Sequence, residues 1–211
     1  MKEFLRATFF IESDNVKVRE QALNFVRYAA DDRERAVCLF KFVRDGISYS
    51  LHGSPVEKER YRASATLARG YGFCVQKAVL LAAMLRAVSI PAALVFADIR
   101  NRLISEVISE PMRSDTFVYH CYNCILLDGK WVKAVCAFDQ EICKRLNVPL
   151  VEFTGREDAI FPSVLADGRK FVTYLRHRGT YDDVPFEEMT SEWERFYGIE
   201  GTAEAGKEPP A

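Results

Sequence analysis

The chain has 211 residues, of which 49% are hydrophobic and 28% charged, an ordinary globular balance that suggests one domain with enough apolar side chains for a core. Its net charge of −1 argues against a general electrostatic attraction to nucleic acid or to an anionic membrane. The apolar runs are too short to span a bilayer and the first residues lack a signal-peptide pattern, so we expect a cytoplasmic protein. In that compartment the six cysteines, which are scattered along the chain, are expected to be reduced thiols.

The spacing of apolar residues predicts helices and strands in one α+β domain over residues 1–198. In chain order we predict a strand at 4–11, helices at 17–30 and 32–47, a surface connection at 48–63, a helix from Cys74, a strand at 92–99, a hairpin at 117–139, a helix at 140–148, a strand at 169–179 and a helix at 185–198. Residues 199–211 are expected to form a disordered tail. The long segment from Arg100 to Thr116 is expected either to border a cleft and help select substrate or to be a plain surface insertion.

One cysteine stands where a glycine-rich turn becomes an apolar helix, in the stretch RGYGFCVQKAVLLAAMLRA. Gly70 and Gly72 permit a positive φ and a close approach of another segment just before Cys74. The unpaired N–H groups and the positive dipole end of a helix N-terminus favour the nucleophilic thiolate and can hold an oxyanion. The helix is apolar nearly all round and should be buried and rigid. Cys74 is therefore a candidate nucleophile, with a buried structural cysteine as the alternative.

The Asp-Gly pair at 128–129, between two apolar runs, predicts a hairpin with a two-residue turn. Counting back from this turn pairs His120 with Ala137. Because side chains alternate along a strand, Asp139 lies on the same face as His120, one diagonal step away, and should be half exposed at the strand end. His120 is thus a candidate base and Asp139 the group that orients it. The alternatives are that His120 is a structural residue whose hydrogen bonds are satisfied within its strand, and that Asp139 caps the helix at 140–148.

The other cysteines are expected to be packing residues. Cys121 and Cys124 form a CxxC pattern, but strand positions three apart face opposite sides and cannot hold one metal ion together. Cys136 is expected opposite Cys121, while Cys38 and Cys143 lie in helical patterns. With no second CxxC and no phosphate-binding glycine loop, the sequence indicates neither a metal nor another cofactor.

The order and spacing of these motifs resemble the transglutaminase-like superfamily. The stretches ASATLARGYGFCVQKAVLLAAMLRAVSIPAALV and YHCYNCILLDGKWVKA, the AFD that follows and RAVCLFKFVRDGISY upstream carry the resemblance, which covers residues 34–139 and is closest to small bacterial members. It implies a papain-like α+β fold, with a cysteine-bearing buried helix packed on an antiparallel sheet. It also implies a triad of Cys74 as nucleophile, His120 as base and Asp139 as orienter. Many members carry this aspartate soon after the hairpin tryptophan, at the position of Val135 here.

We interpret the chain as a cysteine-dependent acyl-transfer enzyme that acts on amide or peptide bonds through a thioester acyl-enzyme. Hydrolysis is favoured because water is always available, and the expected partner is a peptide or another amide-containing substrate. This chemistry requires no cofactor. Two alternatives remain open, a protein-glutamine transglutaminase with an amine acceptor and a non-catalytic module that keeps the fold for protein binding.

Overall fold

The structure is a computed structural model and describes residues 1–52, 56–103 and 114–198. Within these ranges the helices are α1 (Val16–Val26), α2 (Asp32–Gly46), α3 (Ala63–Arg69), α4 (Cys74–Ala87), α5 (Gln140–Leu146) and α6 (Phe186–Tyr197). The strands are β1 (Ser48–Tyr49), β2 (Tyr71–Gly72), β3 (Ala92–Asn101), β4 (Thr116–Leu127), β5 (Lys130–Ala134) and β6 (Val172–Tyr181). The expected tail at 199–211 and residues 104–113 of the long segment lie outside the described residues.

A four-stranded antiparallel sheet in the order β5-β4-β3-β6 forms one layer of the fold. β4 and β5 make the predicted hairpin, with Leu127 opposite Lys130 as the two-residue turn requires. A second, small sheet pairs β1 with β2 in parallel and places Tyr49 opposite Gly72. The predicted α+β class, with the cysteine-bearing helix packed on an antiparallel sheet, is confirmed.

Helix α4 is the centre of the hydrophobic core. Residues 75–87 of this helix are all buried, as its apolar sequence predicts. Lys77 is buried with them, and its Nζ donates hydrogen bonds to the carbonyl oxygens of Arg44 (2.9 Å) and Ile47 (2.6 Å). Loss of hydration lowers the pKa of Lys77 to about 8. This lysine therefore ties α4 to the end of α2 and to the chain that enters β1.

Most predicted elements are confirmed, but the strand at 4–11, the surface connection at 48–63 and the length of the hairpin need correction. The helices at 17–30, 32–47, 140–148 and 185–198 and the strands at 92–99 and 169–179 correspond to α1, α2, α5, α6, β3 and β6. The predicted strand at 4–11 is wrong: it begins with a 3₁₀ turn at Lys2–Leu5, and Phe10 and Ile11 fill the core without joining a sheet. Burial rather than strand pairing accounts for Phe10 and Ile11, whereas Leu5 and Phe9 are exposed. The surface connection at 48–63 also contains the unpredicted β1.

The second strand of the hairpin is shorter than predicted. β5 ends at Ala134, so the ladder does not continue to a pairing of His120 with Ala137. Beyond this point the chain runs beside Ala159 instead, with the Val135 N–H donating to the Ala159 carbonyl oxygen at 2.8 Å. In the described part of the chain, no helix has the length and apolar character needed to cross a membrane.

Candidate active site

Cys74 is the first residue of α4, as predicted, and both glycines before it have a structural purpose. Gly70 ends α3 with a φ of +76°, a conformation that favours glycine. At Gly72 a side chain has no room, because an added Cβ would lie 2.8 Å from Oε1 and 3.0 Å from Cβ of Gln76. The same Oε1 accepts a hydrogen bond from the Phe73 N–H at 3.3 Å and so fastens the first turn of the helix.

Cys74 and His120 line one narrow cavity with a volume of about 20 Å³. The rest of its wall is mostly aromatic and apolar, and consists of Tyr49, Ile99, Asn101, Phe117, Ala137, Phe138 and Phe161. Ala137, the predicted neighbour of His120, is thus near it although the strand has ended. The other two histidines of the chain, His52 and His177, do not line this cavity.

A β-bulge in β4 sets the direction of His120. The register between β3 and β4 shifts at residues 97–99, and Tyr119, just before His120, has a φ of +59°. The Tyr119 N–H donates to Oδ1 of Asp98 at 3.2 Å, and Nε of Arg178 donates to the same oxygen at 2.9 Å. Sequence reasoning missed this arrangement because a bulge depends on the partner strand and has no local periodicity.

His120 is buried among aromatic rings. The ring centroids of Tyr122, Phe161 and Tyr174 lie 6.4, 5.9 and 6.4 Å from that of the imidazole. Burial lowers the pKa of His120 to about 3, because a charged imidazolium would lose its hydration there. Nε2 is buried and has no hydrogen-bond partner among the described residues. Burial therefore favours the neutral imidazole, and its Nε2 is available to accept or donate a hydrogen bond.

Burial also disfavours a charge on the thiol of Cys74. Desolvation raises its pKa to about 11, although the backbone N–H groups of Cys121, Val75 and Cys74 itself act in the opposite direction. Burial therefore opposes the thiolate that the helix terminus favours, and the thiolate character of Cys74 stays a prediction. Burial of both groups favours a resting pair of neutral thiol and neutral imidazole.

Asp139 is the N-cap of α5. Its Oδ1 accepts from the Ile142 N–H at 2.9 Å, and its Oδ2 accepts from the Tyr49 N–H at 2.6 Å. The expectation of half exposure is wrong, since Asp139 is only 8% exposed while both oxygens bind backbone N–H groups. The structure brings Cys74 and His120 to one cavity, but Asp139 does not line it and neither of these hydrogen bonds goes to His120. The helix cap is observed, and the orienting role stays a prediction.

The remaining five cysteines are free thiols in packed surroundings. Cys121, Cys136 and Cys143 are buried, and Cys38 and Cys124 are partly buried. Burial raises the pKa of Cys136 to about 12 and that of Cys143 to about 11. Among the described residues, no three His, Cys, Asp or Glu side chains come together as a metal site.

The fold and this cavity define a class of protein. A cysteine opens the buried central helix, and a histidine from an antiparallel sheet shares its cavity, as in papain-like α+β folds. The family model of the transglutaminase-like superfamily matches residues 19–135, which is more than half of the chain. The chain belongs to the transglutaminase-like superfamily.

A comparison with solved structures finds similarity at low sequence identity. A candidate cysteine protease from Cytophaga hutchinsonii is 18% identical over 63% of this chain, with a TM-score of 0.50, and this chain spans 40% of that protein's length. An arylamine N-acetyltransferase from Mycobacterium abscessus is 13% identical, with a TM-score of 0.42, over 63% of this chain and 46% of that one. At such identity the Cytophaga structure indicates the fold alone. None of the curated proteins compared with this chain matches it.

Proposed function

We propose that this chain is a cysteine-dependent acyl-transfer enzyme that cleaves amide or peptide bonds and releases the acyl group to water. The observation that carries the proposal is the cavity that both Cys74, at the start of α4, and His120 line. The buried Nε2 of His120 has no hydrogen-bond partner among the described residues. Membership of the transglutaminase-like superfamily supports the same chemistry. The mostly apolar wall supports a dry site in which charges formed during reaction interact strongly.

The neutral resting pair favours general-base catalysis. As Sγ of Cys74 attacks the carbonyl carbon, its proton passes to Nε2 of His120 and the carbonyl electrons move onto the oxygen. The backbone N–H of Cys74 is placed at the helix N-terminus to stabilise this oxyanion. When the intermediate collapses, the C–N bond breaks, the imidazolium returns its proton to the departing amine, and a thioester remains on Cys74.

Hydrolysis of the thioester repeats these steps with water as the nucleophile. His120 takes a proton from the attacking water, the C–S bond breaks, and the proton passes to the sulfur of Cys74. Asp139 completes the proposed site as a supporting group. To bind the imidazole directly, its carboxylate would have to share or give up one of its two backbone N–H partners.

A panel of amide, peptide and ester substrates, with and without a primary amine, tests the proposal on the wild-type chain and on Cys74→Ala. We expect free acid as the product without amine, and loss of turnover in Cys74→Ala. The matched control is Cys38→Ala, which removes another partly buried thiol and should keep full activity. An acyl group joined to the amine in preference to water would assign transamidation. A wild-type chain that turns over none of the panel would contradict an enzyme and favour the binding module.

A further inference from the structure

Tyr49 shares the cavity with the proposed nucleophile and base, and the mechanism above does not use it. Its half-buried side chain lines the cavity with Cys74 and His120. We infer that Tyr49 is a third catalytic residue, whose hydroxyl donates a hydrogen bond to the acyl carbonyl oxygen at Cys74, and that Asp139 positions it. This inference rests on the proposed function and deepens it. It adds a second hydrogen-bond donor to the oxyanion and makes Asp139 the residue that positions that donor.

Pairing between β1 and β2 holds the backbone of Tyr49 beside the start of α4. Tyr49 is opposite Gly72, which is close to Cys74 in the chain. The peptide N–H groups of the residues on either side of Tyr49 donate to the carbonyl oxygens of Gly70 and Gly72, at 2.9 and 3.1 Å. Because this ladder joins Tyr49 to the glycine turn itself, the ring and the nucleophile are positioned by one short stretch of backbone.

The segment that contains Asp139 holds Tyr49 from the other side. Oδ2 of Asp139 accepts from the Tyr49 N–H at 2.6 Å, and such a charge-assisted hydrogen bond is stronger than one between neutral groups. The ring of Phe138 meets the ring of Tyr49 edge-on, with centroids 5.0 Å apart and an interplanar angle of 83°. Residues 138–139 therefore fix both the backbone and the ring of Tyr49, while the second oxygen of Asp139 anchors this segment to α5.

The composition of the cavity makes a hydroxyl donor valuable. Among the described residues, the wall carries no lysine, arginine or carboxylate, so the carbonyl oxygen would gain its negative charge in mostly apolar surroundings. A donor fixed there in advance stabilises that charge without reorganisation. Burial raises the pKa of the Tyr49 hydroxyl well above its usual value, and a negative charge on Cys74 raises it further. Tyr49 therefore keeps its proton throughout the reaction and acts as a hydrogen-bond donor, not as an acid.

Tyr49→Phe in the full chain removes the hydroxyl and keeps the ring. Two rates are compared: turnover of p-nitrophenyl acetate, and alkylation of Cys74 by iodoacetamide, followed by peptide mass mapping. Acyl transfer passes through an oxyanion, whereas alkylation displaces iodide from a saturated carbon and forms none. We expect kcat to fall about 10²-fold with KM nearly unchanged, because the hydrogen bond strengthens in the transition state. The alkylation rate should not change.

Tyr71→Phe is the matched control, because Tyr71 lies in β2 of the same small sheet and does not line the cavity. It should leave both rates at wild-type values. Asp139→Ala tests the positioning role and should lower turnover without lowering alkylation. Adding Asp139→Ala to Tyr49→Phe should lower turnover little further, since both changes act through one hydroxyl. If Asp139 acted through His120 instead, alkylation would slow and the two effects would multiply.

Three results would contradict the account, and they are distinguishable. Unchanged turnover in Tyr49→Phe, with turnover still lost in Cys74→Ala, would overturn the role of Tyr49 and leave the proposed function in place. An equal fall of turnover and alkylation in Tyr49→Phe would also overturn it, because it would indicate a structural effect on the thiol. Turnover that survives Cys74→Ala would overturn the proposed function, and the role of Tyr49 with it.

Discussion

Burial disfavours a charge on either Cys74 or His120. It favours the neutral form of each, with pKa values of about 11 and about 3, yet the attack of Sγ on a carbonyl carbon generates an imidazolium on His120 and an oxyanion on the substrate. Two opposite charges formed together in a low-dielectric cavity attract each other, which offsets much of the cost of desolvation. We therefore expect proton transfer to accompany attack on the carbonyl carbon rather than to precede it.

The low pKa of His120 predicts a pH dependence of stability. An imidazole in the unfolded chain has a pKa near 6.5 and the folded one a pKa of about 3, so the unfolded state binds more protons between these limits. The free energy of unfolding should therefore fall as the pH falls through this window, by up to about 1.4 kcal/mol per pH unit from this residue. His120→Phe removes the group and should give a shallower slope between about pH 6 and pH 4.

Urea unfolding at several pH values measures these slopes. His177→Phe is the control, because His177 is exposed on β6 and its loss should leave the wild-type slope unchanged. Equal slopes in the wild type and His120→Phe would mean that His120 is not held neutral in the folded state.

Asp139 is expected to matter for stability as well as for rate. Asp139→Ala removes the cap of α5, which costs about 1 kcal/mol, and leaves the buried N–H of Tyr49 without its acceptor, which costs roughly 1–3 kcal/mol more. Asp139→Asn keeps one acceptor oxygen and should lose less. Urea unfolding gives the stability, and turnover per folded molecule should fall in the same Asp139→Ala variant. A variant with wild-type stability and wild-type turnover would contradict both the cap and the positioning role.

At the scale of elements, local signals predicted α4 and the hairpin. A nearly continuous apolar run that ends before Pro91 is sufficient for the helix, and an Asp-Gly pair sets the register of β4 and β5. The pairing of β1 with β2 was missed because two residues of parallel strand have no periodicity. The end of β5 was missed because it depends on Ala159, which is distant in sequence. These two features bring Tyr49 to the cavity and Asp139 to Tyr49, so this part of the site was not predictable.

Protonation at the site was not predictable from local pattern for a related reason. The helix terminus before Cys74 is visible in the sequence, and its N–H groups do favour the thiolate. The enclosure that outweighs them comes from aromatic residues on several separate elements, such as Phe117 and Phe161. The sequence therefore predicted that Cys74 and His120 come together, whereas the effect of burial on their protonation was not predicted.

Gly72 is a position beside the start of α4 where a single methyl group should disturb the packing around Cys74. Gly72→Ala places a Cβ 2.8 Å from Oε1 and 3.0 Å from Cβ of buried Gln76, so the side chain that fastens the first turn of α4 must move. Overpacking of this kind costs about 1–3 kcal/mol, and we expect turnover to fall as Cys74 shifts. Urea unfolding and turnover measure both effects. Ser48→Ala, at an exposed position of β1, should change neither, and a fully stable, active Gly72→Ala would contradict the close packing.

At the scale of the whole molecule, one hydrophobic cluster includes residues from Phe10 to Trp193, and the single domain over residues 1–198 stays a prediction. The long segment between β3 and β4 remains a candidate for substrate selection. Asn101 and Phe117, on either side of it, line the cavity, while residues 104–113 lie outside the described residues. Its place at the border of the cleft stays a prediction.

The central claim is that Cys74 forms a thioester with the help of His120. The most direct measurement is to mix the chain with p-nitrophenyl acetate, quench with acid during turnover and locate the acetyl group by peptide mass mapping. We expect one acetyl group on the Cys74 peptide of the wild type, none on that peptide in Cys74→Ala, and much slower acetylation in His120→Ala. Turnover with the acetyl group on another residue, or with no acetyl group on Cys74, would contradict the account.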